Sequence, residues 1–78
     1  MLGFERITFN PDIMGGRACI RNMNISVSLI VNLIANGITF AEVLQAYPYL
    51  EEDDLQQSLQ YVAWLADEFV YPMEAVAV

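Results

Sequence analysis

Polar and apolar residues alternate in a short run near the N-terminus, at residues 6–9, and this run is rich in residues that favour strands. Alternation is the pattern of a half-buried strand, and residues 18–21 are interpreted as a second short strand. Residues 10–12, Asn-Pro-Asp, are a turn signal, and the Gly-Gly pair at 15–16 supplies positive φ or close backbone approach. The pattern predicts a short β-hairpin within residues 5–25.

Helical spacing follows the hairpin. Ser26 is placed as the N-cap of a first helix over residues 27–36, and Gly37 as the residue that ends it. This helix has little polar surface, so we expect it to be central and buried on most sides. Thr39 and Glu42 match a capping box that opens a second, short helix, and Pro48 stops that helix.

A third, longer helix is predicted from about residue 51 to residue 71, before Pro72. Four acids at 51–54 occupy its first turn, where the helix dipole favours them, and we interpret them as a solvated helix terminus. The predicted apolar stripe consists of Leu55, Leu59, Val62, Ala63, Ala66 and Phe69, widened by Tyr61, Trp64 and Leu65. Residues 73–78 form a tail, for which disorder and addition of a strand to a partner both remain open.

The sequence therefore predicts one domain over residues 1–72, with a three-helix core at 26–71 behind the hairpin. The chain has 78 residues, of which 56% are hydrophobic, above the usual fraction of about 45–50%. A domain of this length cannot bury that much apolar surface, so we expect part of it to form an interface with a protein partner or a second copy.

Charge is distributed unevenly along the chain. The net charge is −7, yet all three basic residues, Arg6, Arg17 and Arg21, lie in the first 21 residues. Residues 22–78 carry eight acids and no base, which disfavours nucleic acid and anionic membranes and favours basic proteins. The alternative is that the acidity only keeps a hydrophobic chain in solution.

The second and third helices have the layout of a helix-turn-helix, but four acids would lead the reading helix, so autonomous DNA binding is not expected.

The residue types for catalysis are largely missing. The chain has no histidine, so the commonest general base and transition-metal ligand are absent, and we expect neither an enzyme, a metal nor a cofactor. Cys19 lies between two arginines and is either an activated thiol or, more simply, a buried apolar residue. A single cysteine, no signal peptide and no apolar run long enough to span a membrane predict a cytoplasmic protein.

Four motifs carry a family resemblance. They are Ile-Thr-x-Asn-Pro-x-x-x-Gly-Gly-Arg-x-Cys-Ile-Arg at 7–21, Ile-x-Val-Ser-Leu-Ile at 25–30, Asn-Gly-Ile-Thr-x-x-Glu-Val-Leu-x-x-Tyr-Pro-x-Leu at 36–50 and Asp-Leu-x-x-Ser-Leu-x-Tyr-Val-Ala at 54–63. Over roughly residues 5–67 the chain resembles a bacterial family of proteins of unknown function, number four hundred and thirty-three.

The resemblance implies a mainly α fold, with a homeodomain-like or winged three-helix core behind an N-terminal β-hairpin, often as a dimer. It also implies a VapB-like cytoplasmic antitoxin that acts beside a PIN-like ribonuclease toxin. Three positions along the chain depart from the family pattern, one of them Glu51, which stands where the family often has Thr or Ser as an N-cap. Arg17-Ala18 replaces Lys-Pro, and Asn22-Met23-Asn24 replaces Gly-Thr-Arg. Asparagine tolerates a left-handed backbone, so the turn survives, but the loop arginine is lost.

Three hypotheses follow for the function. The first is an antitoxin, in which Arg17 and Arg21 reach the acidic metal site of a nuclease. The second is a helix-turn-helix autoregulator that binds DNA alone or as part of the toxin complex, where a basic toxin supplies the phosphate contacts. The third is a non-catalytic dimeric interaction module. The candidate partner-binding residues are Arg17, Arg21, Asn22, Asn24 and Trp64.

Overall fold

The computed structural model describes residues 3–68. Three helices follow a two-stranded hairpin, as the sequence predicts. The elements are β1 (Ile7–Thr8), β2 (Cys19–Ile20), α1 (Val27–Ala35), α2 (Phe40–Ala46) and α3 (Glu52–Glu68). The predicted end of the third helix near residue 71, its stripe residue Phe69 and the tail at 73–78 lie outside the described residues.

The hairpin is antiparallel, with Ile7 opposite Ile20 and Thr8 opposite Cys19. Each strand has two residues, shorter than the predicted runs of four, because a turn at residues 5–6 directly precedes β1 and a turn at residues 21–22 directly follows β2. The connection contains the predicted turn at Asn10, whose side-chain oxygen accepts a hydrogen bond from the Asp12 amide at 2.9 Å. A 3₁₀ turn at Met14–Gly16 follows, and both its glycines have positive φ.

A second tight turn follows β2. The Met23 amide donates to the Ile20 carbonyl at 2.7 Å, and the central residues Arg21 and Asn22 have φ of 45° and 60°. Positive φ at both central positions is the mark of a type I′ turn. The predicted left-handed conformation of Asn22 is thereby confirmed, although the turn is centred one residue earlier than the predicted Asn22-Met23-Asn24.

The helix caps agree with the predictions. The Ser26 hydroxyl accepts a hydrogen bond from the Leu29 amide at 3.0 Å, and Thr39 and Glu42 form both halves of a capping box. Gly37, with φ of 94°, follows the end of α1. The prediction that α1 is buried on most sides is wrong. Only Val27 and Ile30 are buried in it, because Ser28, Leu29 and Asn32 face outward.

The core lies where the hairpin, α1 and α3 meet, and α2 closes one side of it. Its buried apolar members are Ile7, Ile20, Ile25, Val27, Ile30, Val43, Leu50, Leu55 and Tyr61. On α3 the buried face runs through Leu55, Ser58 and Tyr61, whereas Ala63 and Ala66 of the predicted stripe are exposed. The prediction missed Ser58 because it counted apolar residues only. The Ser58 hydroxyl donates to the Asp54 carbonyl at 2.8 Å, which satisfies it inside the core.

Among residues 3–68, no helix has the length and apolar character needed to cross a membrane.

Candidate protein-binding surface

Arg17 lies in the connection between the two strands of the hairpin, and its side chain is exposed. Its backbone is extended directly after the two glycines, and its amide donates to the Met14 carbonyl at 3.3 Å, which closes the 3₁₀ turn. Within the part of the chain that the structure describes, its guanidinium takes part in no ion pair or side-chain hydrogen bond. Arg17 therefore presents a positive charge that is available to a partner.

An apolar groove of about 310 Å³ lies beside Arg17. Its lining includes Val27 and Val31 of α1, and Tyr61, Val62 and Leu65 of α3, with Arg17 at one margin. The sequence places Arg17 and Leu65 almost fifty residues apart, so no local pattern indicated that they share a surface.

Trp64 belongs to an aromatic cluster at the edge of this groove. Its ring is stacked with that of Tyr61 at a centroid distance of 6.1 Å, and Phe4 and Phe9 contact Tyr61 at 5.6 and 6.0 Å. Phe9 and Trp64 are 40% and 37% exposed. Tyr61 thus joins the groove to an exposed aromatic patch, and aromatic residues with an arginine are typical of the residues that dominate binding energy at protein interfaces.

Arg21 has a different environment, centred on the carboxylate of Asp54. The Arg21 Nε donates to Asp54 Oδ1 at 3.1 Å and its Nη2 donates to Oδ2 at 2.8 Å, a two-bond contact. Arg6 Nη1 donates to the same Oδ1 at 2.9 Å, and the Glu51 amide donates to Oδ2 at 2.8 Å. Asp54 is 0% exposed, so the interpretation of all four acids at 51–54 as a solvated terminus is wrong for this residue. Four hydrogen bonds compensate its burial.

This ion-pair network commits two of the three arginines to the fold. Besides binding Asp54, Arg6 forms an ion pair with Glu51 at 2.7 Å, and Arg21 donates to the Tyr49 carbonyl at 3.0 Å. The predicted binding residues therefore fall into two groups. Arg17 lines the groove and Trp64 stacks on its lining residue Tyr61. Arg21 instead anchors the turn that follows β2, on which Asn22 and Asn24 are exposed.

A family model described as "Protein of unknown function (DUF433)" matches residues 7–62. The match begins at β1 and includes the hairpin, α1, α2 and most of α3. The chain belongs to the DUF433 family. The family resemblance of its motifs is thereby confirmed. No curated protein and no solved structure matches the chain.

Within this DUF433 chain, Arg17, Arg21 and Asp54 lie inside the segment that the family model matches, whereas Arg6 and Trp64 lie just outside it. Cys19 is 1% exposed and packs in the hairpin as a buried apolar residue, the simpler of its two interpretations. Among the described residues, no group of three or more potential metal ligands comes together. The surface features of this DUF433 chain are thus an arginine, an apolar groove and aromatic rings, which suit binding.

Burial alone would raise the pKa of Asp54, but hydrogen bonds from Arg21, the Glu51 amide and Arg6 outweigh it. The pKa of Asp54 is therefore lowered in the folded DUF433 chain. Glu42 also has a lowered pKa, because its carboxylate accepts hydrogen bonds from the Thr39 amide and hydroxyl. Both carboxylates favour the folded state when they are ionised.

These shifts predict an acid-sensitive fold. A carboxylate whose pKa is lower in the folded than in the unfolded state stabilises the fold above the unfolded pKa, about 3.9 for Asp, and this stabilisation is lost as the pH falls through the folded pKa. We expect the free energy of unfolding, measured by urea titration, to decrease from about pH 5 downward. The decrease should be smaller in Asp54→Asn. If the free energy of unfolding decreased equally with falling pH in the wild type and in Asp54→Asn, the assignment of the acid sensitivity to Asp54 would be contradicted.

Proposed function

We propose that this DUF433 chain is an antitoxin-type protein that binds and neutralises a cognate PIN-like ribonuclease. The observation that carries the proposal is Arg17, an exposed arginine without an ion pair in residues 3–68, at the margin of an apolar groove. A guanidinium forms two parallel hydrogen bonds with a carboxylate, and a metal-dependent nuclease holds its metal with carboxylates. Arg17 at such a site would compete with the metal and block access of RNA.

The rest of the surface supports the same proposal. The exposed rings of Phe9 and Trp64 provide apolar contact area, and the chain carries a net charge of −7. A ribonuclease needs basic residues to bind RNA, so an acidic protein is attracted to it and associates faster. Arg21, predicted with Arg17 to enter the nuclease site, binds Asp54 instead, and we therefore assign the inhibitory contact to Arg17 alone.

Arg17→Ala is expected to weaken inhibition of the ribonuclease encoded by the neighbouring reading frame by at least about tenfold, because a charged hydrogen-bonded contact is lost. The free energy of unfolding should change by less than about 0.5 kcal/mol, since Arg17 is exposed. The measurement is an RNA-cleavage assay against inhibitor concentration, with a urea titration of each variant.

Arg21→Ala is the matched comparison, because it removes the same side chain from the ion-pair network instead of from the groove margin. It should lower the free energy of unfolding, and inhibition should persist under conditions in which the variant remains folded. Full inhibition by Arg17→Ala, together with loss of inhibition by folded Arg21→Ala, would reverse the assignment.

A second candidate function is favoured by the arrangement of α2 and α3. A helix of 7 residues, a connection over residues 47–51 and a helix of 17 residues have the order and lengths of a helix-turn-helix, which supports the proposal of a homeodomain-like or winged core. Exposed acids at Glu51, Glu52 and Asp53 would repel phosphates at the start of α3. We therefore expect DNA binding only in complex with a basic partner, through a dimer that buries Trp64.

A mobility-shift assay with the protein's own promoter at low salt separates this candidate from the first. A shift that needs both the chain and the ribonuclease supports autoregulation by the complex. If neither the chain alone nor the chain with the ribonuclease shifts the DNA, the autoregulator candidate is excluded. The antitoxin role then remains, or the dimeric interaction module if no inhibition is measured.

A further inference from the structure

The groove beside Arg17 has the shape and charge to take a defined kind of ligand. We propose that it binds an amphipathic helical segment of a protein partner, which inserts aliphatic side chains between α1 and α3 and pairs one carboxylate with Arg17. The inference rests on the proposed function in taking that partner to be the ribonuclease. It goes further by naming the secondary structure and the chemistry that the groove recognises.

The walls of the groove favour a helix. Val27 and Val31 are four residues apart on α1, and Tyr61 and Leu65 are four residues apart on α3. Residues at this spacing form a ridge along a helix, and the furrow between two such ridges accepts the side chains of a third helix. A volume of about 310 Å³ is at the small end of ligand pockets, so it fits a few side chains.

The groove is also preformed in the free protein. The Val27 amide donates to the Ala18 carbonyl at 3.0 Å, which ties the hairpin to the start of α1, and Ser26 caps that helix. Val27 and Tyr61 are core residues, 3% and 7% exposed, so core packing fixes the two walls to which they belong. A partner therefore does not have to order these walls when it binds, which reduces the free-energy cost of association.

Charge complementarity selects the occupant. Among residues 3–68, Arg17 is the one cationic residue that lines the groove, and the other lining residues are neutral. Nucleic acid and anionic membranes bind through several basic residues, and a single arginine beside aliphatic side chains does not provide them. An aliphatic surface with one carboxylate matches the groove in both respects.

The first experiment uses a defined probe. It is a synthetic amphipathic helical peptide with leucine at i, i+3, i+4 and i+7 and one glutamate beside them, compared with the same peptide carrying glutamine. Trp64 is the only tryptophan of the chain and is stacked on the groove residue Tyr61, so its fluorescence reports binding. We expect the glutamate peptide to bind the wild type about threefold to tenfold more tightly than the glutamine peptide, and Arg17→Ala to abolish this difference.

A pair of neighbouring substitutions locates the binding site. Ser28→Phe places a ring in the groove, whereas Leu29→Phe adds a ring at an exposed position of α1 outside its lining. Both positions are exposed in the same helix, so both variants are expected to fold. Ser28→Phe should weaken peptide binding at least about tenfold, and Leu29→Phe should leave it unchanged. Equal effects of the two variants, or equal binding of both peptides to the wild type, would overturn the proposal.

The same variants are then titrated with the ribonuclease, which separates the two proposals. Loss of ribonuclease binding in Ser28→Phe but not in Leu29→Phe supports the groove as the toxin-binding site. If the ribonuclease is not bound by the wild type while the peptide results hold, the antitoxin proposal fails and the ligand chemistry of the groove stands. If the ribonuclease is inhibited equally by Ser28→Phe and by the wild type, the antitoxin proposal stands and the groove is not its contact.

Discussion

Asp54→Asn is expected to lower the free energy of unfolding by about 3 kcal/mol, because breaking a buried ion pair typically costs about 3–5 kcal/mol. Asparagine preserves the size of the side chain but removes its charge. It also replaces one of the two oxygens, both of which accept hydrogen bonds in the native protein. Arg6 and Arg21 would then face each other without the carboxylate that holds them together.

The effect of Asp54→Asn on the structure should extend beyond α3. Asp54 connects Arg6, which precedes β1, with Arg21, which follows β2, and its Oδ2 accepts the amide hydrogen of Glu51 before α3. Arg21 has φ of 45°, an uncommon conformation for a long side chain, and its guanidinium is fixed on Asp54. Weakening this contact should therefore loosen the turn at residues 20–23, as well as the start of α3.

Asp53→Asn is the matched control, since Asp53 is the neighbouring acid in the same helical turn. Its side chain is 79% exposed, and its ion pair with Arg6 is long at 3.7 Å. We expect a change within about 0.5 kcal/mol, the usual range for exposed substitutions. Urea titrations at pH 7 measure both variants. A similar effect of the two substitutions would show that general charge, and not the buried contact, stabilises the helix terminus.

How much of this fold can be predicted from the sequence depends on how far apart the interacting residues are along the chain. Ser26, Thr39 with Glu42, and Gly37 were recognised because a cap is formed by residues within four positions of each other. The hairpin was recognised for a similar reason, from alternation and turn residues. The burial of Asp54 depends on Arg6 and Arg21, which are 48 and 33 residues away. Nothing near Asp54 distinguishes it from Glu51, Glu52 and Asp53, so the four acids looked equivalent.

The candidate site shows the same division. Arg17 and Arg21 are both arginines beside the second strand, and no local pattern separates their roles. The fold does separate them, since Arg21 meets a buried carboxylate and Arg17 meets an apolar groove. Trp64 is a predicted binding residue because its helix carries more apolar surface than one core needs. Phe4 and Phe9, which pack near it, were missed because the helical pattern contains no information about the N-terminus.

Ile30→Ala is expected to lower the free energy of unfolding by about 3 kcal/mol, within the range of about 2–5 for truncation of a buried isoleucine. Ile30 is 0% exposed on a helix of only 9 residues, at the centre of the apolar core. Alanine would leave a cavity in the core. Helix α1 is short and capped, so it cannot close this cavity by shifting toward the hairpin. A domain of 78 residues has a total stability of only about 4–12 kcal/mol, so the loss is a large fraction of it.

Leu29→Ala provides the control from the adjacent position of α1. Leu29 is 37% exposed, and its amide retains the bond to Ser26 whatever its side chain. Both variants place alanine in the same helix, so any gain in helix propensity is similar. The difference between their free energies of unfolding therefore measures the effect of burial. We expect Leu29→Ala to cost less than about 1 kcal/mol, and Ile30→Val, which removes one methylene group, about 1 kcal/mol. Equal midpoints for the two alanine variants in urea would mean that α1 does not direct Ile30 into the core.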